Sequence, residues 1–401
     1  MVYIPESTVT QGKFRNILII TSIYTGEPRG GSDRHTGELI RVLRTVAGIT
    51  VLTTTALDYQ TWESRLKPGT VVHENLSIIR FSPLEERNPE SFNRYLTNLY
   101  RKKNKAKEDY FNFILKQGPV VPDLVKYVEQ NGKDFDLVIF IGYLYYPIVF
   151  SLPFVRFKSI IVPTLHDEPP AYFPIYREIF TKESGYGFNT PEELGLFEKI
   201  YGFRPPIHEV VGICTTKPEV LVSFQKFDFP YVVYIGRIDQ GKGIDGLIEY
   251  FKKWKNLRLS DIRLVMIGTG QALTSDGEII ILGDTPEKEK NSILKSSLFL
   301  INPSQLESFS IVLMEAWLLE VPVLVNGNSS VLKNHCIRSN GGLYYTDEDS
   351  FIATMSFFLN NPSILKKMGK NGFRYVSDNY SDSRILEKFQ SVYSKLTMNV
   401  K

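Results

Sequence analysis

Short apolar runs rich in isoleucine and valine recur along the chain with little alternation. They lie at residues 17–20, 50–52, 78–79, 137–141 and 160–162, then at 231–235, 264–267, 279–282, 298–301 and 321–325. Runs without polar alternation suit strands buried on both faces, the condition of a parallel sheet covered by helices. Segments with helical spacing separate them, so the expected class is α/β in layers. The runs form two successive sets, and the stretch between them is short and turn-rich, with Pro218 and Pro230. The expected division is a first domain at 1–215, a hinge at 216–230, a second domain at 231–379 and a C-terminal helix at 380–401. Two Rossmann-like, doubly wound domains facing each other would turn their strand C-termini toward a central cleft, where open α/β sheets bind ligands. Residues 181–206, with their glycine, proline and tyrosine content, read as an excursion at the edge of that cleft.

Composition narrows the picture without redirecting it. A chain of 401 residues is long for one core and comfortable for two. No apolar run approaches the roughly 18 residues of a membrane-spanning helix, and Met1-Val2-Tyr3-Ile4-Pro5 lacks the basic head of a secretory leader. Cys214 and Cys336 have no pairing pattern, so no disulfide framework is implied. A cytoplasmic location is the expectation. The net charge of +3 is small for this length and gives no footprint for nucleic acid. One basic run stands out, Arg101-Lys102-Lys103-Asn104-Lys105-Ala106-Lys107. It reads either as a solvated helix face or as a contact for anionic lipid headgroups.

Four segments carry candidate chemistry. The first is Ser304-Gln305-Leu306-Glu307-Ser308-Phe309-Ser310-Ile311-Val312-Leu313-Met314-Glu315-Ala316, after a buried strand and the turn Asn302-Pro303. Ser308 or Ser310 is expected to cap the helix that starts there, leaving first-turn N–H groups that suit a diphosphate. Glu315 sits among apolar neighbours, so it needs either a cation that fixes packing or a ligand such as a ribose diol. Glu307 precedes the helix, at the mouth of the cleft. The second segment is Tyr234-Ile235-Gly236-Arg237-Ile238-Asp239-Gln240-Gly241-Lys242-Gly243, a strand end followed by a glycine turn with two cations. Glycines let backbone approach a phosphate and the cations neutralise it. It is not a Walker loop, because Gly243 stands where Ser or Thr is needed. The third is Gly30-Gly31-Ser32-Asp33-Arg34-His35, opening a helix after the first strand. The fourth is Pro163-Thr164-Leu165-His166-Asp167, which puts a histidine at a strand C-terminus.

These pieces, in this order, resemble the retaining family 4 glycosyltransferases, whose two-Rossmann-domain architecture is called GT-B. The likeness covers most of the chain and is strongest from Tyr231 to Asn326. There Gly236-Arg237 with Lys242-Gly243 looks like the family's phosphate-binding turn. Glu307 and Glu315 fall at the spacing of its paired glutamates, followed by the matching Val321-Pro322-Val323. The resemblance implies that the first domain is the acceptor side and the second binds the nucleotide sugar, with helix 380–401 crossing back onto the first. It implies that Arg237 and Lys242 bind the donor diphosphate and that Glu315 holds the ribose. Glu307 and the backbone of Ser308, Phe309, Ser310 and Ile311 would hold the sugar and phosphates. His166 would touch the sugar near its 6-position, Gly31 would approach the diphosphate, and Leu282-Gly283 would contact the base. Ser308 departs from the family, which usually has glycine after the first glutamate.

The implied reaction is transfer of a glycosyl group to an acceptor hydroxyl with retention, without an obligatory cofactor or metal. The donor could carry uridine, guanosine or adenosine diphosphate, and the acceptor could be a glycan, a protein or a lipid-linked species. Peripheral contact with an anionic membrane and assembly into a homo-oligomer are open at this point. Asp134-Phe135-Asp136 resembles a metal-holding Asp-x-Asp but precedes a strand, so turn chemistry explains it. The five histidines lack zinc-ligand spacing. Rival readings are a nucleotide-sugar epimerase or phosphorylase-like enzyme on the same fold, and an inactive accessory subunit. The last would predict loss of a phosphate cation or a glutamate, and all are present.

Overall fold

The computed structural model describes residues 14–26, 30–258, 260–271 and 274–399. Residues 1–5, on which the leader expectation rests, lie outside them. The chain divides into two compact units, Met1–Val211 with Ile385–Lys401, and Gly212–Arg384.

The first unit holds β1 (Asn16–Ile20), β2 (Gly48–Thr54), β3 (Gly69–His73), β4 (Leu76–Phe81), β5 (Leu137–Ile141), β6 (Ser159–Val162), β7 (Gly185–Phe188) and β8 (His208–Val210). Their order in the sheet is β3-β4-β2-β1-β5-β6-β7-β8. Every pairing is parallel except the edge hairpin β3–β4. Central strands β5 and β6 are buried along their whole length, as their unbroken apolar runs require. The segment 181–206 is not an excursion: it supplies β7 and the helix Pro191–Tyr201. Gly185 is small because a Cβ there would stand 2.7 Å from Val392 Cγ1. That valine lies on the C-terminal helix Asp382–Asn399, which packs on this unit from Ile385 onward. Phe14 meets Tyr393 edge-on at 5.2 Å, and Lys395 Nζ lies 2.6 Å from Glu209 Oε1.

The second unit holds β9 (Tyr231–Ile235), β10 (Arg263–Ile267), β11 (Ile279–Ile281), β12 (Leu300–Asn302), β13 (Val323–Asn326) and β14 (Gly342–Tyr345). The order β11-β10-β9-β12-β13-β14, all parallel, is the doubly wound arrangement in which the winding reverses between the first and fourth strands. The reversal lies between β9 and β12, so loops leaving their carboxyl ends diverge and open a crevice. The turn-rich segment 216–230 belongs to this unit and is tied to the helix Glu287–Ser296. Leu221 N–H donates to Ser292 Oγ at 2.8 Å, and Asn291 Nδ2 to the Glu219 carbonyl at 3.0 Å.

Candidate active site

The glycine turn after β9 stands at the reversal point. Gly236, with φ of 155°, turns the chain out of the strand, and its N–H reaches the Ile267 carbonyl at 3.0 Å. Asp239 then accepts the Lys242 N–H at 3.0 Å and closes a single 3-10 turn. Gly243, at φ of 75°, passes so close to β12's exit that a Cβ would stand 2.6 Å from the Pro303 carbonyl. Any side chain there would meet both backbone strain and a fixed oxygen. That close approach lets Lys242 Nζ reach Glu307 Oε1 at 2.7 Å. The Tyr234 hydroxyl donates to the Arg237 carbonyl at 2.6 Å and lies within the fields of Asp239, Glu307 and Arg237. Lys242, Glu307 and the glycine turn therefore converge. Arg237 is looser: its side chain is 67% exposed, with Nε 3.5 Å from Asp239 Oδ2.

The loop from β12 to the helix Ile311–Leu318 is braced from beneath. Asn302 Oδ1 accepts the Ser304 N–H at 3.0 Å while its Nδ2 donates to Ser310 Oγ at 3.0 Å. Asn326 Nδ2 holds the Pro303 carbonyl at 3.0 Å. Ser310 precedes the helix with φ of 74°, a left-handed conformation uncommon for a residue with a Cβ, and its side chain makes no capping bond. The capping expectation for Ser310 is thus corrected: Asn302 engages its hydroxyl, and no side chain caps this helix. Phe309 is buried edge-on against His335 at 5.4 Å and Tyr380 at 4.9 Å, while Ser308 and Ile311 are half-buried.

Glu315 is 2% exposed, one turn into that helix. Lys290, from the helix Glu287–Ser296, brings its Nζ to 3.9 Å from Glu315 Oε2 and to 2.8 Å from Glu287 Oε2. The cation that the sequence reading gave as one of two alternatives is present. Lys290 itself went unnoticed, because a lysine in Glu287-Lys288-Glu289-Lys290 looks like any solvated helix charge.

Two further glycines escaped the sequence reading. Gly268 and Gly270, after β10, pass against the turn that follows β9 so tightly that a Cβ would stand 1.8 Å from the Gly236 carbonyl and 2.2 Å from that of Ile238. The Ile238 N–H bonds the Thr269 carbonyl at 2.9 Å, and the Gly268 N–H the Gly283 carbonyl at 3.0 Å. Leu282-Gly283 is thereby joined to the same set of loops. The glycine pair at two-residue spacing directly after an apolar run was the available signal.

In the first unit, Gly31 opens the helix Gly31–Leu43, and a Cβ on it would meet nothing within 4 Å. Asp33 is buried and accepts the N–H and hydroxyl of Thr25 at 3.2 and 2.6 Å. His166 is half-buried on the loop leaving β6, two residues after Thr164, which adopts φ of 52°. Behind that loop lies a residue the sequence reading passed over. Glu193 is 2% exposed and accepts the Leu165 N–H through Oε1 and the Asn189 N–H through Oε2, both at 2.6 Å. The Thr164 N–H also favours its charge, while burial pushes the carboxyl up to about 8. Asp136 explains the Asp-x-Asp: its Oδ2 takes the Arg15 and Asn16 N–H groups at 2.7 and 3.0 Å, at the start of β1. No group of three or more histidine, cysteine or acidic side chains gathers into a metal-type cluster among the described residues.

Residues 222–375 match the family Glycosyl transferases group 1. Glycosyltransferase 1 domain-containing protein 1 of Xenopus tropicalis is 26% identical over 166 residues, 38% of this chain and 47% of the relative. The chain spans about half the length of the curated relatives it matches. Among solved structures, sucrose-phosphate synthase from Thermosynechococcus elongatus superposes with a TM-score of 0.71 at 16% identity, covering 96% of this chain and all of that one. An E. coli trehalose-6-phosphate structure bound with UDP-2-fluoro glucose gives 0.66 at 11%, with 94% and 98% covered. At these identities the superpositions establish the fold. The chain therefore carries a glycosyl transferases group 1 domain at residues 222–375, on the two-unit GT-B scaffold.

Proposed function

We propose that the chain is a retaining glycosyltransferase that takes a sugar from a nucleotide-sugar donor and delivers it to an acceptor hydroxyl. The observation that carries this reading is the meeting of Lys242 with Glu307 at the strand reversal of the second unit, 2.7 Å apart beside a glycine turn. Lys242 and Arg237 receive the diphosphate, with Gly236 and Gly31 allowing backbone approach. The amides of Ser308, Phe309, Ser310 and Ile311 add fixed dipoles at the start of a helix. Glu315 holds the ribose, Leu282-Gly283 the base, and Glu307 and His166 the transferred sugar.

In the reaction, the bond from the anomeric carbon to the diphosphate oxygen breaks and a bond to the acceptor oxygen forms on the same face. The acceptor proton passes to the departing diphosphate. Charge grows on that diphosphate in the transition state, so cations and N–H groups fixed there lower the barrier. The acceptor is a glycan, a protein or a lipid-linked species. The corner at 101–107 is assigned to anionic lipid on the cytoplasmic side. Arg101 and Lys103 are exposed there beside Tyr100, whereas Lys102 and Lys107 are paired with Asp109 and Glu178.

A thermal-shift screen with UDP, GDP and ADP tests the donor site, and nucleoside diphosphate release from UDP-glucose, GDP-mannose or ADP-glucose tests turnover. A ligand at about 100 times its Kd adds about 2.7 kcal/mol to stability, so one nucleotide should stand out. No shift with any of the three would end this reading.

A further inference from the structure

We propose that Glu193 is a positioning residue for transfer, setting the loop that presents His166; this rests on the role given to His166 above. Its carboxylate spans two adjacent strand exits. One oxygen takes the Leu165 N–H after β6, the other the Asn189 N–H after β7, each at 2.6 Å. The side chain is 2% exposed, so water does not share these bonds. The loop it holds is unusual: Thr164 carries a Cβ at φ of 52°, a conformation that persists only where surrounding contacts impose it. The Glu193 N–H is in turn fixed by Thr190 Oγ1 at 3.1 Å, at the start of the helix Pro191–Tyr201. The carboxylate is thus anchored at one end to a helix and at the other to the backbone next to His166.

Leu165, Asn189 and Thr164 all meet this carboxylate with backbone N–H donors. At pH 9, above the value of about 8 to which burial pushes it, the ionised carboxylate satisfies them all, whereas an amide places its own NH2 against one of them. Glu193→Gln is therefore nearly isosteric and yet releases one side of the clamp. Displacing a reacting group by about 1 Å costs on the order of 100-fold in rate. The expected result is a kcat about 100-fold lower for Glu193→Gln. UDP, GDP and ADP affinities by calorimetry stay within about twofold, since none of Glu193's partners is assigned to the nucleotide. Glu193→Asp, which keeps a carboxyl group, recovers part of the rate.

The deciding comparison is a double-mutant cycle with His166→Ala, using diphosphate release from the nucleotide sugar that the wild type turns over. If Glu193 acts through His166, its substitution adds almost nothing in the His166→Ala background. A residue that merely supports the fold would multiply its loss there. Should Glu193→Gln show no cooperative melting, Glu193→Asp carries the same cycle, with about a tenfold loss expected. A full multiplicative loss, or a Glu193→Gln rate within twofold of wild type, overturns the proposal. Full activity of His166→Ala would instead remove the reading on which it rests, and the proposal with it.

Discussion

Lys242 already has a carboxylate against it, and this shapes what its removal should do. The pair with Glu307 is only partly exposed, 26% and 14% for the two side chains. A diphosphate arriving at the turn would draw Lys242 from Glu307, so the acid both poises the cation and competes for it. Lys242→Ala should lower kcat on the order of 100-fold, the scale of losing one preorganised stabiliser. Its melting temperature should fall as well, because the Glu307 carboxylate, only 14% exposed, loses its cation. Glu307→Gln should separate the two roles: diphosphate binding tightens as the lysine is freed, while kcat falls. Calorimetry with UDP, GDP and ADP beside initial-rate kinetics checks both. Tighter transfer kinetics without Lys242, or weaker diphosphate binding in Glu307→Gln, would contradict the arrangement. These charges were readable in the sequence because each stood in an odd setting, a lysine between glycines and glutamates around a buried helix. Glu193 was not. Thr190-Pro191-Glu192-Glu193 reads as a helix capping box, a local device, whereas the side chain reaches across to Leu165. A contact between residues 28 apart leaves no local trace.

At the scale of elements, the apolar runs located ten strands, most of them buried on both faces, with β4 and β11 only partly so. The four others lack that signature for separate reasons. β3 is exposed throughout and pairs only as an edge hairpin. β7 is Gly185-Tyr186-Gly187-Phe188, where glycines that look like turn signals serve close packing instead. β8 is three half-buried residues, and β14 mixes glycine with tyrosine. The helix Ser330–Ser339 offers a prediction that also escaped the sequence. His335 on it is fully buried, its Nδ1 3.0 Å from the Tyr375 hydroxyl, in the aromatic cluster that seats Phe309. Burial first, then the field of Arg338, pushes its pKa down to about 3; the Phe309 backbone opposes them weakly. The unfolded chain takes up a proton below about pH 6.5, and the folded protein does not until about pH 3. Stability from this group is therefore complete above pH 6.5 and declines as pH falls through that window, by about 2 kcal/mol between pH 6.5 and 5. His335→Gln cannot titrate. It should be less stable than wild type at pH 7.5, with a urea midpoint that changes less between pH 7.5 and 5. Equal pH sensitivity in both proteins would show that another group carries the acid response.

At the scale of the whole molecule, the net charge of +3 gives little general attraction to an anionic surface. Any attraction must come from how charge is arranged. No helix among the described residues is long and apolar enough to cross a membrane. The corner at 101–107 combines exposed Arg101 and Lys103 with Tyr100, an aromatic that is 41% exposed, and Phe111 stands 45% exposed on the next helix, Lys107–Gln117. Asp109 and Glu178 take up Lys102 and Lys107, and Lys105 bonds the Lys102 carbonyl, so Arg101 and Lys103 are the exposed cations this corner offers to a surface. Each basic residue at an anionic bilayer contributes about 1 kcal/mol, so reversing two of them should weaken binding by at least about 30-fold. Vesicles of phosphatidylserine and phosphatidylcholine should co-sediment wild-type protein at low salt and release it as the screening length shrinks to about 3 Å at 1 M. The double reversal Arg101→Glu with Lys103→Glu should remain in the supernatant while keeping its nucleotide-induced thermal shift, because neither residue is among those proposed to hold the nucleotide. Equal sedimentation of the two proteins, or binding that persists in high salt, would assign this corner to solvent and leave the acceptor to be sought among water-soluble glycans and proteins.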